Sequence, residues 1–455
     1  MASSLALLLS IACSPLAEPD RSAGRMLEQS SATAAQAANA VQGTRDFAKG
    51  YVGSEVCAPC HAPEFKLWQA SLHSHMEQPA TAATVVGDFT PEGTVLAAEM
   101  SGRRMVMRRQ GDAFLIEAPD ESGNPRVYPI ERTIGNRYRQ RYLTRLPDGS
   151  WHALPVQWLL ADQRFTEPMH LASTAPRSGN YWLDDAWQWQ LKCAGCHATG
   201  LDLGWDAGKK TYATRWRELA IGCESCHGRG AEHVLARGGT ANILCPSKLS
   251  RDQQLDVCGQ CHSRGSAGSD HGAPPGLPGK LGYPFGMVPG ARLADRWQQA
   301  TPASSPADFW PDGSSRNHHQ QLIDFRASRM LKKGGDRAPH CTTCHEPHEA
   351  NALKLPVENN ALCVSCHEQF ADAARLAAHT GHGSNPEANA GARCIGCHMP
   401  RIVQHAGSVK LHSHTFSSPD PRRARETQTP DACLLCHEDR DSAWAEASAA
   451  QIGRH

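Results

Sequence analysis

The chain has no apolar run that could span a bilayer, no surplus of charge and few apolar residues for an ordinary interior. No stretch of 18 or more apolar residues occurs, so no transmembrane helix is expected. Lys+Arg and Asp+Glu each number 46. With no basic excess to neutralise phosphates, nucleic acid is excluded as a partner. Hydrophobic residues make up 40% of the 455, below the roughly 45–50% of soluble globular proteins. Either much of the chain lacks structure, or something other than side chains fills its interior.

Cysteine and histidine, in contrast, are abundant, at 18 and 24. Sixteen cysteines fall into eight copies of Cys-x-x-Cys-His. The first four are Cys57/Cys60/His61, Cys193/Cys196/His197, Cys223/Cys226/His227 and Cys258/Cys261/His262. The others are Cys341/Cys344/His345, Cys363/Cys366/His367, Cys394/Cys397/His398 and Cys433/Cys436/His437. This is the attachment pattern of c-type haem. Two thiols must reach two vinyl groups of one porphyrin, which places them about one helical turn apart. The histidine that follows supplies the proximal imidazole. A zinc ribbon has no use for a histidine after every pair. A thioredoxin-type motif occurs once in a βαβ unit, and a disulfide framework does not repeat one spacing so strictly. Eight covalently attached haems are therefore expected.

Haem accounts for the low apolar content, because large apolar macrocycles can serve as core. The 39 Gly and 30 Pro suit a chain of loops wrapped around them. Each haem adds two propionates, so the neutral polypeptide should carry about −8 when oxidised and about −16 when reduced. Redox partners with basic surfaces are expected.

Covalent haem attachment implies assembly outside the cytoplasm, in the periplasm or at the cell surface. Leu5–Ala12 has the length of a signal-peptide apolar region, and residues 1–17 read as a leader. Ser10-Ile11-Ala12 before Cys13 resembles an imperfect lipoprotein site, with a lipid anchor at Cys13. Ordinary cleavage nearby, discarding Cys13, is the alternative. Cys245 reads as a buried packing residue.

Residues 18–48 are rich in Ala, Ser and Gln and read as a tether. Residues 49–186 hold the first haem motif and then alternating segments split by turn signals, such as RRMVMRR, AFLIEA and RVYPIERTI. That pattern predicts an inserted antiparallel β module. Residues 187–455 read as a seven-haem domain of short helices. The fold class expected is mainly α, with long loops wrapped around stacked haems.

The segments YVGSEVCAPCHAPEFKLWQASLH, YLTRLPDGSWHALPVQW, GCESCHGRGAEH, CTTCHEPH, CIGCHMPR and SHTF occur in this order. In that order the chain resembles multihaem cytochromes with a cytochrome c-554-type part and doubled C-x-x-C-H motifs, over roughly residues 50–445. The resemblance implies haem c and electron transfer, and its wider circle includes octahaem enzymes. Many relatives continue into a tetratricopeptide array, which residues 1–455 do not contain.

Sixteen histidines lie outside the motifs, enough to close the eight irons as bis-histidine haems. His73, His233, His348 and His414 are the first candidates, each close in sequence to a motif. His382 and His170 follow, and His318, His319 and His379 fill the remaining places. His152, His405 and His455 read as solvated. Met76 and Met287 are alternatives as axial ligands, whereas Met399 lies too close to its own iron. Trp182, Trp187 and Trp189 are expected to pack on porphyrin. Arg137, Arg139, Arg141 and Arg145 could recognise an anion, but on a strand they read as a solvated face.

Three functions remain open on this reading: an electron carrier, an oxidoreductase acting on a small nitrogen or sulfur compound at an open haem, and a subunit of a conducting filament. The carrier reading is preferred. All eight motifs end in His, without the substituted ligand that often marks a catalytic haem in octahaem relatives.

Overall fold

A computed structural model describes residues 50–89, 94–96, 105–168, 175–349 and 353–452. The leader, the tether, Cys13, His170 and His455 lie outside these residues. Among the described residues no helix is long and apolar enough to cross a membrane.

The expected β module is present as two antiparallel sheets. Strands β2 (Thr94–Leu96), β3 (Met105–Gln110), β4 (Ala113–Pro119) and β5 (Pro125–Pro129) form one sheet in sequence order. The other has the order β1-β6-β7-β8-β9, with β1 Glu77–Pro79, β6 Arg132–Ile134, β7 Arg139–Arg145, β8 Trp151–Leu159 and β9 Arg164–Thr166. Turn chemistry sets the hairpins. Asp120 Oδ1 accepts from the Ser122 and Asn124 amides at 2.8 and 2.9 Å, closing β4 onto β5. Between β7 and β8, Gly149 has φ +82°, and a Cβ there would fall 2.1 Å from the Tyr212 carbonyl oxygen. Only glycine fits this turn.

Period-two alternation on β7 sends Gln140 and Tyr142 into the core and Arg139 and Arg141 to the other face. Tyr142 meets Phe89 edge to face, and Phe89 also meets Phe114 and Phe165. Each such ring contributes about 1.5–3 kcal/mol by burial. One hydrophobic cluster runs from Phe89 through Trp182, Trp187 and Trp189 to Phe325. It therefore passes through the expected boundary at residues 186 and 187.

Beyond residue 340 the character changes. Leu376, Ala392, Ile402, Val403, Ala406 and Ala445 are the buried apolar residues of that part. The first two-thirds of the chain thus builds its own side-chain core, contrary to the expectation that porphyrin supplies the interior throughout. The last third has the sparse apolar content that expectation described.

The mainly-α expectation is met only in part, since among the described residues helices make up 31% and strands 20%. The helices are short. Glu224–His227, Cys341–Cys344 and Cys394–His398 span four or five residues each, and the C-terminal helix Ser442–Ile452 has 11. Single turns of this length do not persist alone in water, so their stability has to come from what they are fastened to.

Candidate functional site

Each motif occupies one helical turn. The His61, His227, His262, His345, His367 and His437 amides donate to the carbonyl of their motif's first cysteine at 2.9–3.0 Å. That bond brings both thiols and the imidazole to one side of the turn, as attachment to a single macrocycle requires.

Five motif histidines face a second imidazole. His61 faces His233 at 6.3 Å between ring centroids, His227 faces His348 at 6.2 Å, and His345 faces His414 at 6.4 Å. His398 faces His379 at 6.0 Å and His437 faces His382 at 5.9 Å. A metal–imidazole bond is about 2.0–2.1 Å, so two imidazoles on one metal place their centroids roughly 6 Å apart. The donor set and its spacing fit haem iron at these five positions.

Four of the five second imidazoles are also held in the required tautomer. Nδ1 of His233, His382 and His414 lies 2.9, 2.6 and 3.1 Å from the carbonyls of Gly239, Thr380 and His412. His348 Nδ1 lies 3.0 Å from Glu346 Oε1. A carbonyl or carboxylate oxygen accepts, so Nδ1 donates and Nε2 keeps its lone pair for a metal.

His73 is the electrostatic neighbour of His262. Burial lowers the His73 pKa, which keeps its ring neutral. Among the described residues no imidazole faces His197 or His367 at the spacing of the five pairs. His318 is committed elsewhere, because its Nε2 accepts from Arg139 Nη2 at 2.7 Å. Met287 is buried in the hydrophobic cluster.

The attachment cysteines adjoin one another in a continuous series. Cys57 interacts with Cys223, Cys258 with Cys341, Cys196 with Cys261 and Cys363 with Cys394, side chain to side chain. Electrostatic contact links Cys226 to Cys258 and Cys261, Cys344 to Cys366, and Cys397 to Cys436. Named by first cysteine, the series runs 57, 223, 258, 341, 363, 394, 433. The 193 motif joins it sideways, through Cys261. The run follows sequence order, and only the 193 motif is set apart from its place in it.

Several expectations are corrected here. Cys60, Cys366 and Cys436 are exposed. The helix that follows Cys60, Ala62–Gln69, has no buried residue of its own. The Cys60 amide still donates to the Cys57 carbonyl at 3.2 Å, which keeps it on the attachment turn, but its motif joins the series through Cys57. His152 is not solvated: it is buried, with Nδ1 3.1 Å from the Trp182 carbonyl. His405 is half-buried, its ring 4.7 Å from His318 and 4.8 Å from Tyr138. Trp182 and Trp189 lie wholly within the protein core, donating from Nε1 to Pro119 O and Glu77 Oε2. Arg137 and Arg145 are exposed as expected, but Arg139 and Arg141 are half-buried, Arg139 against His318 and the His405 carbonyl and Arg141 within electrostatic reach of Cys193 and His197. Glu77, Arg132 and Arg264 were not singled out in the sequence, and no motif marks them.

Residues 169–228 match the family model described as cytochrome c554 and c-prime, and residues 333–372 match the doubled CXXCH motif. No curated protein matches the sequence. The fold is similar to that of the outer cell wall cytochrome OcwA, with a TM-score of 0.61 and 21% identity over 88% of this chain and 86% of that one. An undecahaem cytochrome from the S-layer of Carboxydothermus ferrireducens aligns at a TM-score of 0.43 and 16% identity, over 88% of this chain and 60% of the other. Repeated attachment turns, two segments that match cytochrome family models and a fold similar to that of a cell-wall cytochrome together support haem c binding.

Proposed function

We propose that the chain is an octahaem cytochrome that carries electrons along closely spaced, mostly bis-histidine haems in the outer cell envelope. The observation that carries this reading is the set of five facing imidazole pairs on an unbroken series of adjoining attachment cysteines. The ligand pairs would be His61/His233, His227/His348, His345/His414, His398/His379 and His437/His382, with His262/His73 as a sixth. His319 lies within electrostatic reach of His197, and His367 supplies a proximal imidazole alone.

Haem supplies the redox chemistry; the polypeptide sets spacing, orientation and ligand field. Histidine on both sides favours low potentials. The adjoining cysteines keep neighbouring macrocycles close, so electrons need no mobile carrier between them. The carboxylate-rich loaded protein would dock redox partners through basic surfaces. The envelope location is supported by the OcwA likeness and by the leader expected in residues 1–17.

Counting haems and spin states tests the reading. A pyridine haemochrome assay should return eight haems per chain. Electron paramagnetic resonance of the oxidised protein should show low-spin iron in large majority. Fewer than eight haems, or a spectrum dominated by high-spin iron, would overturn it.

A further inference from the structure

A buried ion pair adjoins the Cys193/Cys196/His197 motif, and strand register creates it. Glu77 on β1 pairs with Ile134 of β6, and Arg132 on β6 pairs with Pro79. Residues two apart on a strand share a face, so Glu77 and Arg132 are diagonal neighbours. Arg132 Nη1 donates to Glu77 Oε1 at 2.6 Å, with the two side chains 4% and 0% exposed. The guanidinium also lies over the rings of Trp151, Trp189 and Trp216, at 3.6, 4.3 and 4.7 Å from their centroids. Its Nε and Nη2 have no hydrogen-bond acceptor, and the ring faces take that place.

Trp189 holds the second carboxylate oxygen. Its Nε1 donates to Glu77 Oε2 at 2.8 Å, and its carbonyl accepts from the Cys193 amide at 2.8 Å. The carboxylate is thereby tied to the attachment turn. Its Oε2 lies 3.7 Å from His197 Nδ1, which is buried and has no hydrogen-bond partner. At that distance Glu77 acts as a charge in a dry interior and not through a hydrogen bond. Burial pushes the Glu77 carboxyl up to about 7, and Arg132 and Trp189 oppose that rise. Both neighbours donate and neither offers an acceptor, which suits the ionised carboxylate. Other motif histidines meet neutral acceptors: His227 Nδ1 meets the Leu244 carbonyl, His398 Nδ1 the Ser417 carbonyl and His262 Nδ1 the Gln321 amide oxygen.

Cations crowd the same motif. Burial comes first in lowering the pKa of His197, to about 4, followed by the charges of Arg141 and Arg132. Arg141 also interacts with Cys193, and Arg264 acts on Arg141. Arg132 is matched by Glu77, whereas Arg141 has only the Gln157 amide oxygen at 3.4 Å and the Trp187 ring. A cation beside an iron favours its reduced state and raises its potential. An anion beside the proximal imidazole makes that ligand more basic and lowers the potential. The 193 motif joins the series sideways, through Cys261. A haem of raised potential on a side branch would collect electrons and hold them.

We propose that Glu77 is a positioning residue for His197: its charge, fixed by Arg132 and Trp189, offsets Arg141, lowers the potential of the haem attached at Cys193 and Cys196, and keeps electrons on the side branch exchangeable with the series. The inference rests on haem attachment at this motif, as put forward above.

The test is a potentiometric titration of the full holoprotein at pH 8, where Glu77 is charged. Mass spectrometry of the peptide spanning residues 193–197 is done first, to show its haem. In Glu77→Gln one of the eight one-electron steps should move to higher potential while the other seven hold and the haem count is unchanged. On reoxidation, one-eighth of the reduced-haem absorbance should then lag. Glu77→Asp keeps the ion pair but draws the charge back by one methylene, so the same step should rise by a smaller amount. Where Glu77→Gln does not fold, that smaller rise decides. Arg141→Gln should move the same step the opposite way, to lower potential. Potentials unchanged in both Glu77 variants overturn the proposal, as does a larger rise in Glu77→Asp than in Glu77→Gln, which would mark an effect of shape. A rise in Arg141→Gln overturns the offset. Haem on the 193–197 peptide with no shift refutes the tuning alone, whereas a peptide without haem refutes the haem reading of this motif and the tuning with it.

Discussion

The rings of His379 and His398 face each other with centroids 6.0 Å apart and planes within 3° of parallel. His379 lies on helix Ala373–Thr380, whose Asp372 N-cap accepts from the Arg375 amide at 2.9 Å. His398 ends the attachment turn Cys394–His398. Two elements 19 residues apart thus bring two imidazoles to the spacing that one metal requires.

The first prediction concerns that pair. His379→Ala should convert one low-spin iron to high spin with the haem count unchanged. His75→Ala is the control, because His75 Nδ1 bonds the Ser71 carbonyl at 2.9 Å and its ring faces no motif histidine among the described residues. Paramagnetic resonance of both variants decides. An unchanged spectrum for His379→Ala removes it from the ligand set.

The second contrasts two glycines at the same motif position. A Cβ on Gly195 would lie 2.1 Å from the Tyr283 ring, whereas one on Gly396 meets only the Ala390 carbonyl oxygen at 3.5 Å. Gly195→Ala should cost about 1–3 kcal/mol through overpacking. Gly396→Ala should be nearly neutral. Urea midpoints followed by circular dichroism separate the two, and equal effects would contradict the packing.

A third follows from Glu224, whose carboxylate accepts from the amides of Val52, Gly53 and Gly230 at 2.7–3.0 Å. It ties the first described segment to the third attachment turn. Glu224→Ala leaves buried N–H groups without partners and should cost about 2–3 kcal/mol. Limited proteolysis should then cut first near residues 50–56. Protection equal to that of the parent would show that the clasp is dispensable.

The fourth is a pH dependence. Burial lowers the pKa of His152 below its ordinary 6.5, against smaller opposing effects of the Trp182 carbonyl and nearby aspartates. The depressed value means that folding favours the neutral ring. Its contribution is present above pH 6.5 and is lost as pH falls toward and through the folded value. His152→Asn should therefore lose less stability than the parent between pH 7 and pH 5, as read from urea midpoints. Parallel pH profiles would show that His152 does not titrate with unfolding.

The sequence by itself determined the attachment chemistry, because two thiols and an imidazole within five residues form a site that one helical turn assembles locally. It also disclosed the β module, through alternation and turn residues such as Gly149, and pointed to His233, His348 and His414, which lie near motifs. What each second imidazole faces was decided only by the tertiary structure. His348 follows the 341 motif yet faces His227, since a ring so near its own attachment turn reaches across to a neighbour. The branch at 193 likewise depends on packing between distant turns. Hardest to see were Glu77, Arg132 and Arg264, single charged residues in ordinary surroundings. Glu77 and Arg132 take their meaning from burial beside His197, and burial is a property of the folded chain that no local spacing encodes.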